Sequence, residues 1–357
     1  MKKLSVLLVL IAFLGLSSLA MADSITPLTF TGSGLTGASY TVHKTVTVSA
    51  GTPTTAQGDI FFLSDTTGSM GGVISAVKTN ASSILSSLSG YGNMQFGAGE
   101  YKDFPTSPWG GGTDYPYKLN SAIGTAANAQ AGINAWSASG GADTPEANLH
   151  ALQQVAGEGW RAGSKKFALW FGDAPGHDPT GTPSTPGYPG PTEATATAAL
   201  QSAGITVLGF NAGNLDGYGQ AARITAATLG SLTNLSGLDA DAVAAAIIAA
   251  IGESFLNYTS VSLDTSEVPA GVGVSVIGSY TGDFDRSIDR IFEFDVTFTD
   301  LEPGTHTFNI YALVDGARVA TESDTINSAI PEPATMLLLG SGLIGLAGYG
   351  RRKFFKK

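Results

Sequence analysis

The sequence predicts a doubly wound α/β sheet combined with an all-β sandwich. Apolar strand patterns alternate with helical patterns across residues 59–257, which is typical of a mostly parallel sheet with helices on both faces. Residues 258–328 change to period-two runs separated by Gly, Pro and Asp turns, the pattern of antiparallel strands. The chain has 357 residues, enough for about two domains, and its 43% hydrophobic content is too high for a disordered protein.

The first 22 residues have the composition of a secretory signal peptide. Lys2 and Lys3 precede an apolar segment, residues 4–19, which is followed by a small-x-small cleavage site ending at Ala22. We expect signal peptidase to cut after Ala22. A short first transmembrane helix is the alternative, and the small and polar residues that follow the segment disfavour it. The chain has no cysteine, so an exported form must be held by core packing, with or without bound cations, and not by disulfides.

Residues 23–58 form a Thr-, Ser- and Gly-rich arm with one clear strand pattern, the alternating run 40–48. Only four or five strand patterns lie in residues 258–328, few for two packed sheets, and the strand of the arm needs a partner as well. The economical arrangement is one sandwich in which the arm pairs with strands from 258–328 and the α/β unit is an insertion. The predicted sandwich strands are 258–263, 272–279, 290–298, 306–313 and 317–321.

The α/β unit, residues 59–257, is predicted to contain four parallel strands and five helices. The strands are 60–63, 94–99, 167–171 and 205–210. The helices are 69–88, 126–136, 145–156, 192–203 and 239–251. Ligand crevices of such sheets lie at the carboxyl ends of the strands, so residues just after each strand are the candidates for function.

The end of the first of these strands carries a cluster of oxygen-bearing side chains. The apolar run 60–63 leads into Asp65, Thr67 and Ser69, and Gly68 permits the tight turn that brings them to one point. Hard oxygen ligands of this kind suit Mg2+. The alternative is an ordinary strand-to-helix turn in which Thr67 or Ser69 caps the helix.

Two distant segments place further acidic residues beside a strand end or a helix start: Asp143-Thr144-Pro145-Glu146 and Phe171-Gly172-Asp173-Ala174. With the first loop, their order and spacing resemble the von Willebrand factor A domain and its metal-ion-dependent adhesion site, and more closely the version in integrin beta subunits. The resemblance covers about 200 residues and implies a Rossmann-like sheet whose loops bind Mg2+, Mn2+ or Ca2+. The implied ligands are Asp65, Thr67, Ser69, Glu146 and Asp173, with Thr144 as an alternative to Glu146 because simpler A domains use a loop threonine. As purely structural residues, Asp173 would cap a helix or turn, Glu146 would favour the helix dipole and Asp143 would form an Asx turn.

The same resemblance implies a second, neighbouring cation. Residues 96–99 and 103–105 match the strand and loop that supply it in the family. On that mapping the second site consists of Asp103, Asp143, the carbonyl of Pro145 and Glu146, with Glu146 bridging the two ions. The third ion of the beta subunits is not expected, because Gly71, Gly72 and Val73 stand at the positions of its acidic ligands.

The C-terminal segment, residues 331–357, has three parts. Pro331-Glu332-Pro333 is followed by the apolar, Gly-rich residues 334–350 and by the basic end 351–357. This order resembles the PEP-CTERM sorting signal of Gram-negative bacteria, which implies recognition and cleavage by an exosortase and delivery to the cell surface or extracellular matrix. A plain transmembrane anchor with a cytoplasmic basic end is the alternative.

The charge of the mature chain limits its partners. Of the 18 Lys and Arg residues, seven lie in the two ends, whereas only one of the 29 Asp and Glu residues does, so residues 23–330 carry a formal charge of −17. Such a charge argues against nucleic acid or anionic membrane as partner and favours cation binding. Solubility of a secreted protein would explain the same charge.

Taken together, these features predict a surface-sorted binding protein, not an enzyme, whose cation captures an acidic group of a protein or polysaccharide. A structural matrix protein with a purely structural cation is the second hypothesis. The third is a metal-assisted hydrolase, for which no general base is placed by spacing, and no nucleophile-elbow pattern supports a triad of Ser69, His177 and Asp173.

Overall fold

The computed structural model describes residues 22–329 and 338–347. The strands are β1 (Ser24–Thr26), β2 (Thr29–Leu35), β3 (Ser39–Val48), β4 (Ala56–Asp65), β5 (Gly92–Tyr101), β6 (Lys118–Gly124), β7 (Lys165–Gly172), β8 (Ile205–Asn211), β9 (Leu232–Asn234), β10 (Asn257–Asp264), β11 (Val272–Ile277), β12 (Tyr280–Asp285), β13 (Arg290–Asp300), β14 (Gly304–Val314) and β15 (Ala317–Ala329). The helices are α1 (Gly71–Ser89), α2 (Ala126–Asn134), α3 (Asn148–Ala156), α4 (Glu193–Ser202), α5 (Gln220–Ala227) and α6 (Ala240–Leu256).

The α/β unit is built on a six-stranded sheet in the order β6-β5-β4-β7-β8-β9. All neighbouring pairs are parallel except β6, which lies antiparallel to β5 at one edge. The chain therefore winds outward from β4 in both directions, and the predicted doubly wound class is confirmed.

Both faces of this sheet are covered, which is why its central strand reads as one apolar run. Ile60 and Phe62 point to the side covered by α1, α2 and α6, whereas Phe61 and Leu63 point to the side covered by α3, α4 and α5. Each of these four side chains is fully buried, and burial of one such side chain contributes about 1.5–3 kcal/mol. The sheet therefore forms a rigid support for the loops at its carboxyl edge.

The remaining strands form a sandwich of two sheets, ordered β1-β3-β13-β11 and β12-β10-β14-β15-β2. Strand β3 pairs antiparallel with β13 along its length, from Val48 opposite Arg290 to Ser39 opposite Thr299. The arm thus pairs with the C-terminal strands as predicted, and the α/β unit lies between two parts of one sandwich in the chain. The arm supplies strands to both sheets, because β2 pairs parallel with β15.

Several elements differ from the sequence prediction. β1, β2, β6, β9, α5 and β12 were not predicted, because β2, β6 and β12 are partly exposed edge strands, β1 and β9 have three residues each and α5 follows a Gly-rich turn. The helix predicted over 145–156 begins at Asn148, since the preceding residues lie in a loop that pairs with the segment after β7.

The sorting signals lie mostly outside the described residues. Residues 338–347 are helical, and no helix within the described ranges is long and apolar enough to cross a membrane. Pro331, Glu332 and Pro333 lie outside the described ranges, as does the signal peptide apart from Ala22, whose carbonyl accepts a hydrogen bond from Ser49 Oγ at 3.0 Å.

Candidate functional site

The predicted site residues lie where the winding of the sheet reverses. In the sheet, β4 lies between β5 and β7. The chain goes from β4 to β5 on one side and later returns to β7 on the other side, and such a reversal of strand order leaves a crevice at the carboxyl ends of β4 and β7. Asp65 is the last residue of β4, and Asp173 directly follows β7. The topology therefore brings these two carboxylates to the same edge of the sheet.

Asp65 begins the first loop, residues 65–69. One of its carboxylate oxygens accepts hydrogen bonds within this loop, and the other has no partner in the described part of the chain. Its Oδ1 accepts hydrogen bonds from the backbone N–H and the hydroxyl of Thr67, both at 2.8 Å. The Thr67 hydroxyl lies 3.4 Å from that of Ser69. Asp65 is fully buried, yet its Oδ2 has no hydrogen-bond partner among the described residues. Three side chains of one loop therefore present oxygens together, with Ser69 at the exposed end.

A second loop, residues 139–146, packs on the first. The N–H of Ser139 donates to the Thr66 carbonyl at 3.0 Å, and the N–H of Gly68 donates to the Gly140 carbonyl at 3.1 Å. Gly141 has φ +78°, and a Cβ there would lie 3.0 Å from Thr67 Cβ and 3.4 Å from Glu146 Oε1. Glycine at 141 thus lets Glu146 approach the first loop.

Glu146 is the buried acidic residue of this second loop. Its N–H donates to the Pro175 carbonyl and its carbonyl accepts from the N–H of His177, both at 2.9 Å, so it is joined to the segment after β7. Its Oε2 is buried and without a hydrogen-bond partner within the described chain. Thr144, the alternative ligand, is exposed, and Pro145 between them is half-buried. Burial thus distinguishes the two alternatives and places Glu146 inside the crevice.

Three carboxylates therefore share one poorly solvated space. Burial raises the pKa of Asp65, and the charge of Asp173 raises it further against the two hydrogen bonds from Thr67. Burial also raises the pKa of Glu146, with the charge of Asp65 as the next cause. Asp173 is half-buried and its carbonyl accepts from the N–H of Asn214 at 2.8 Å. These carboxylates destabilise one another as anions, and a cation among them would relieve that repulsion.

Lys102 is a site residue that the sequence analysis did not identify. Its buried ammonium donates to the carbonyls of Thr66 and Ser139, so it joins the first and second loops. Its charge also favours ionised Asp65. The signal available in the sequence was a lysine directly after β5 in an otherwise buried segment, which is uncommon unless the lysine is paired.

Of the residues predicted for the second cation, both aspartates converge, and they do so with a histidine that was not in the predicted set. Asp103 and Asp143 converge with His177, with one ligand atom from each residue lying within 4.8 Å of the others. Glu146 lies close enough for both aspartates to raise its pKa. The sequence analysis considered His177 only in an unsupported triad with Ser69 and Asp173, because sequence spacing does not reveal that the segment after β7 returns to the loop after β5.

Comparison with known proteins identifies the C-terminal segment. Residues 329–353 match the family model of the PEP-CTERM protein-sorting motif. The chain is accordingly an exported, surface-sorted protein, and its sorting motif is the kind that an exosortase recognises. A search of curated proteins finds no match.

Solved structures resemble the whole chain only distantly. A von Willebrand factor type A protein from Catenulispora acidiphila gives a TM-score of 0.44 at 15% identity, covering 89% of this chain and 76% of that one. The pilus adhesin SpaC from Lactobacillus rhamnosus GG, in its open conformation, gives 0.39 at 16% identity, covering 81% and 45%. Proximal thread matrix protein 1 from the mussel byssus gives 0.39 at 13% identity, covering 59% and 48%. With identities this low, the function of the site must be inferred from its own geometry.

Proposed function

We propose that the α/β unit binds a divalent cation through Asp65, Thr67, Ser69, Glu146 and Asp173, and that this cation captures an acidic group of a partner at the cell surface. The observation that carries the proposal is a pair of buried carboxylate oxygens, Asp65 Oδ2 and Glu146 Oε2, which have no hydrogen-bond partner in residues 22–329 and 338–347 and lie on loops that contact each other.

The residues present fit such an ion. A buried carboxylate oxygen without a partner costs free energy, and a cation is the ligand that compensates two of them at once. Two hydroxyls and three carboxylates are hard oxygen donors, which suit Mg2+, Mn2+ or Ca2+. When bound, the ion supplies a Lewis-acidic centre to which a carboxylate of a partner can bind.

The surroundings favour capture of an acidic partner over a purely internal role for the ion. The hydroxyl of Ser69 lies at the exposed end of the first loop, so the ion would be reachable from solvent. The formal charge of −17 on residues 23–330 repels anions elsewhere, which would confine binding of an acidic group to the cation.

A purely structural cation is the competing hypothesis. Against it, the first and second loops are already joined by two backbone hydrogen bonds and by Lys102, so an ion is not required to hold them together. We therefore propose a binding role, without catalysis, for an uronic-acid polysaccharide or an acidic protein of the extracellular matrix.

Capture from matrix tests this proposal. The protein is incubated with extracellular matrix of the producing cells and with alginate-type polyuronate beads, in Mg2+ or in chelator. We expect retention in Mg2+ and release by chelator, and an equal loss for Asp65→Asn, which keeps the acceptor for Thr67 but removes the charge. Exposed Asp283→Asn is the matched control and should be retained normally. Equal retention in chelator would favour the structural hypothesis.

A further inference from the structure

We propose that Asp103, Asp143 and His177 form a separate metal site that takes a divalent first-row transition ion such as Zn2+, in preference to Mg2+ or Ca2+. This site does not depend on the cation proposed at Asp65. It is formed by the loop after β5, the second loop and the segment after β7, three parts of the chain that are distant in sequence.

The geometry is that of a preformed three-ligand cluster. His177 Nε2 lies 3.0 Å from Asp103 Oδ2 and 3.5 Å from Asp143 Oδ2. Two ligands at the usual zinc bond lengths of 2.0–2.1 Å lie about 3.3 Å apart in tetrahedral coordination. The two separations from His177 lie on either side of this value, and all three ligand atoms lie within 4.8 Å of one another, so a movement of the aspartate side chains can complete the coordination.

Several buried polar atoms of the cluster make no hydrogen bond within the described chain. His177 is 1% exposed and Asp103 is fully buried. Neither ring nitrogen of His177 makes a hydrogen bond there, although Nε2 lies 3.0 Å from Asp103 Oδ2. The same holds for Asp103 Oδ2 and for Asp143 Oδ1. Buried polar atoms without partners are rare in native proteins and point to a missing ligand.

The donor set selects the class of ion. An imidazole nitrogen is a good ligand for Zn2+ and other first-row transition ions, whereas Mg2+ and Ca2+ prefer oxygen donors throughout. Two carboxylates and a neutral imidazole also balance the charge of a divalent ion. Asp143, with its side chain 33% exposed, leaves one side of the cluster open for entry of the ion.

The cluster also holds the Gly- and Pro-rich rim segment, residues 174–191, beside the first site. Tyr188 of this segment donates its hydroxyl hydrogen to Asp103 Oδ1 at 2.7 Å. Its ring stacks on His177, with centroids 4.3 Å apart, and meets Phe104 and Trp109 edge to face. A metal ion on Asp103 and His177 would therefore fix the position of Tyr188 and of the rim segment around it.

Calorimetric titration of the purified full chain with Zn2+, in excess Mg2+, tests the site. We expect one Zn2+ to bind more tightly than Ca2+ titrated in the same way, and His177→Gln to weaken Zn2+ binding at least about 100-fold, because outer contacts alone are worth 10–100-fold. His150→Gln is the matched control, since this half-buried histidine packs on Phe104 outside the cluster. Asp143→Asn, at the open side, is a second variant that should weaken Zn2+ binding if His177→Gln does not fold.

The two proposals fail separately. Asp65→Asn should leave Zn2+ binding unchanged while it abolishes Mg2+-dependent capture. Cobalt(II) bound to the wild type should show visible absorption bands of a nitrogen- and oxygen-ligated ion, and His177→Gln should lose them. Wild-type affinity for Zn2+ in His177→Gln and Asp143→Asn, or a wild type that binds Zn2+ no better than Ca2+, would overturn the second site and indicate a buried histidine-carboxylate ion pair.

Discussion

Gly141→Ala should weaken the cation site through a close contact that only glycine avoids. The residue has φ +78°, and an added Cβ would lie 3.0 Å from both Thr67 Cβ and Thr67 Cγ2. The left-handed backbone costs an L-residue about 1–2 kcal/mol wherever it occurs. The contact with Thr67, by contrast, displaces a proposed ligand and should lower affinity for Mg2+ about tenfold, a loss of about 1.4 kcal/mol.

A matched control separates the two effects. Gly237 has φ +77° and no atom within 4 Å of an added Cβ, so Gly237→Ala introduces the same backbone strain away from the site. In chelator, Gly141→Ala should lose at least as much thermal stability as Gly237→Ala, because it adds the contact with Thr67 to the backbone strain. At Mg2+ concentrations about 100-fold above the wild-type dissociation constant, the wild type and Gly237→Ala should gain about 2.7 kcal/mol. Gly141→Ala should gain only about half of that.

Thermal unfolding in chelator and in Mg2+, followed by calorimetry, provides the readout. A gain of 1 kcal/mol shifts the midpoint by about 2–4 °C for a protein unit of this size, so the difference between the variants is measurable. If Gly141→Ala gains as much from Mg2+ as Gly237→Ala does, then the second loop does not contact a bound cation, and the assignment of the site is wrong.

Two further predictions concern the sandwich. Arg286 forms a buried double hydrogen bond with Asp23 at 2.7 and 2.8 Å, so Arg286→Met should lower the free energy of unfolding, measured by urea titration, by about 3–5 kcal/mol. The control is Arg290→Met, which removes a partly exposed ion pair with Asp285 and should lower the free energy of unfolding far less. Equal losses in the two variants would contradict the role of burial. Burial raises the pKa of Glu322, beside Lys44, to about 7, so the folded state retains a proton that the unfolded chain releases, and stability should fall by up to about 3 kcal/mol as the pH rises from about 4.5 to 7. Glu322→Gln should flatten the pH dependence of unfolding across that window, and an unchanged slope would refute the shift.

The fold was predictable where burial on two faces leaves continuous apolar runs. β4, β5, β7 and β8 are such strands, and their alternation with helices was enough to predict the doubly wound sheet. The pairing of the arm with β13 followed from a count of strands that needed partners. Edge strands were missed because one exposed face removes the apolar pattern, as in β6.

The candidate site was predictable only in part for a different reason. Asp65, Thr67 and Ser69 lie in one loop, so their spacing along the chain reports their proximity. His177 and Lys102 act through contacts with loops distant in sequence, which depend on the path of the chain after β7 and β5. Glycine at 141 becomes informative only once the distance between Thr67 and Glu146 is seen.

The central claim is that the first loop, the second loop and the segment after β7 bind a divalent cation. Calorimetric titration of the full chain with Mg2+ tests this claim most directly. We expect one Mg2+ per chain in the wild type, a weakened but measurable site in Thr67→Ala, which lacks one neutral ligand, and no binding in Asp65→Asn. Asp283→Asn should titrate as the wild type does. A wild type that shows no heat of Mg2+, Mn2+ or Ca2+ binding, or an Asp65→Asn variant that binds as the wild type does, would contradict the account.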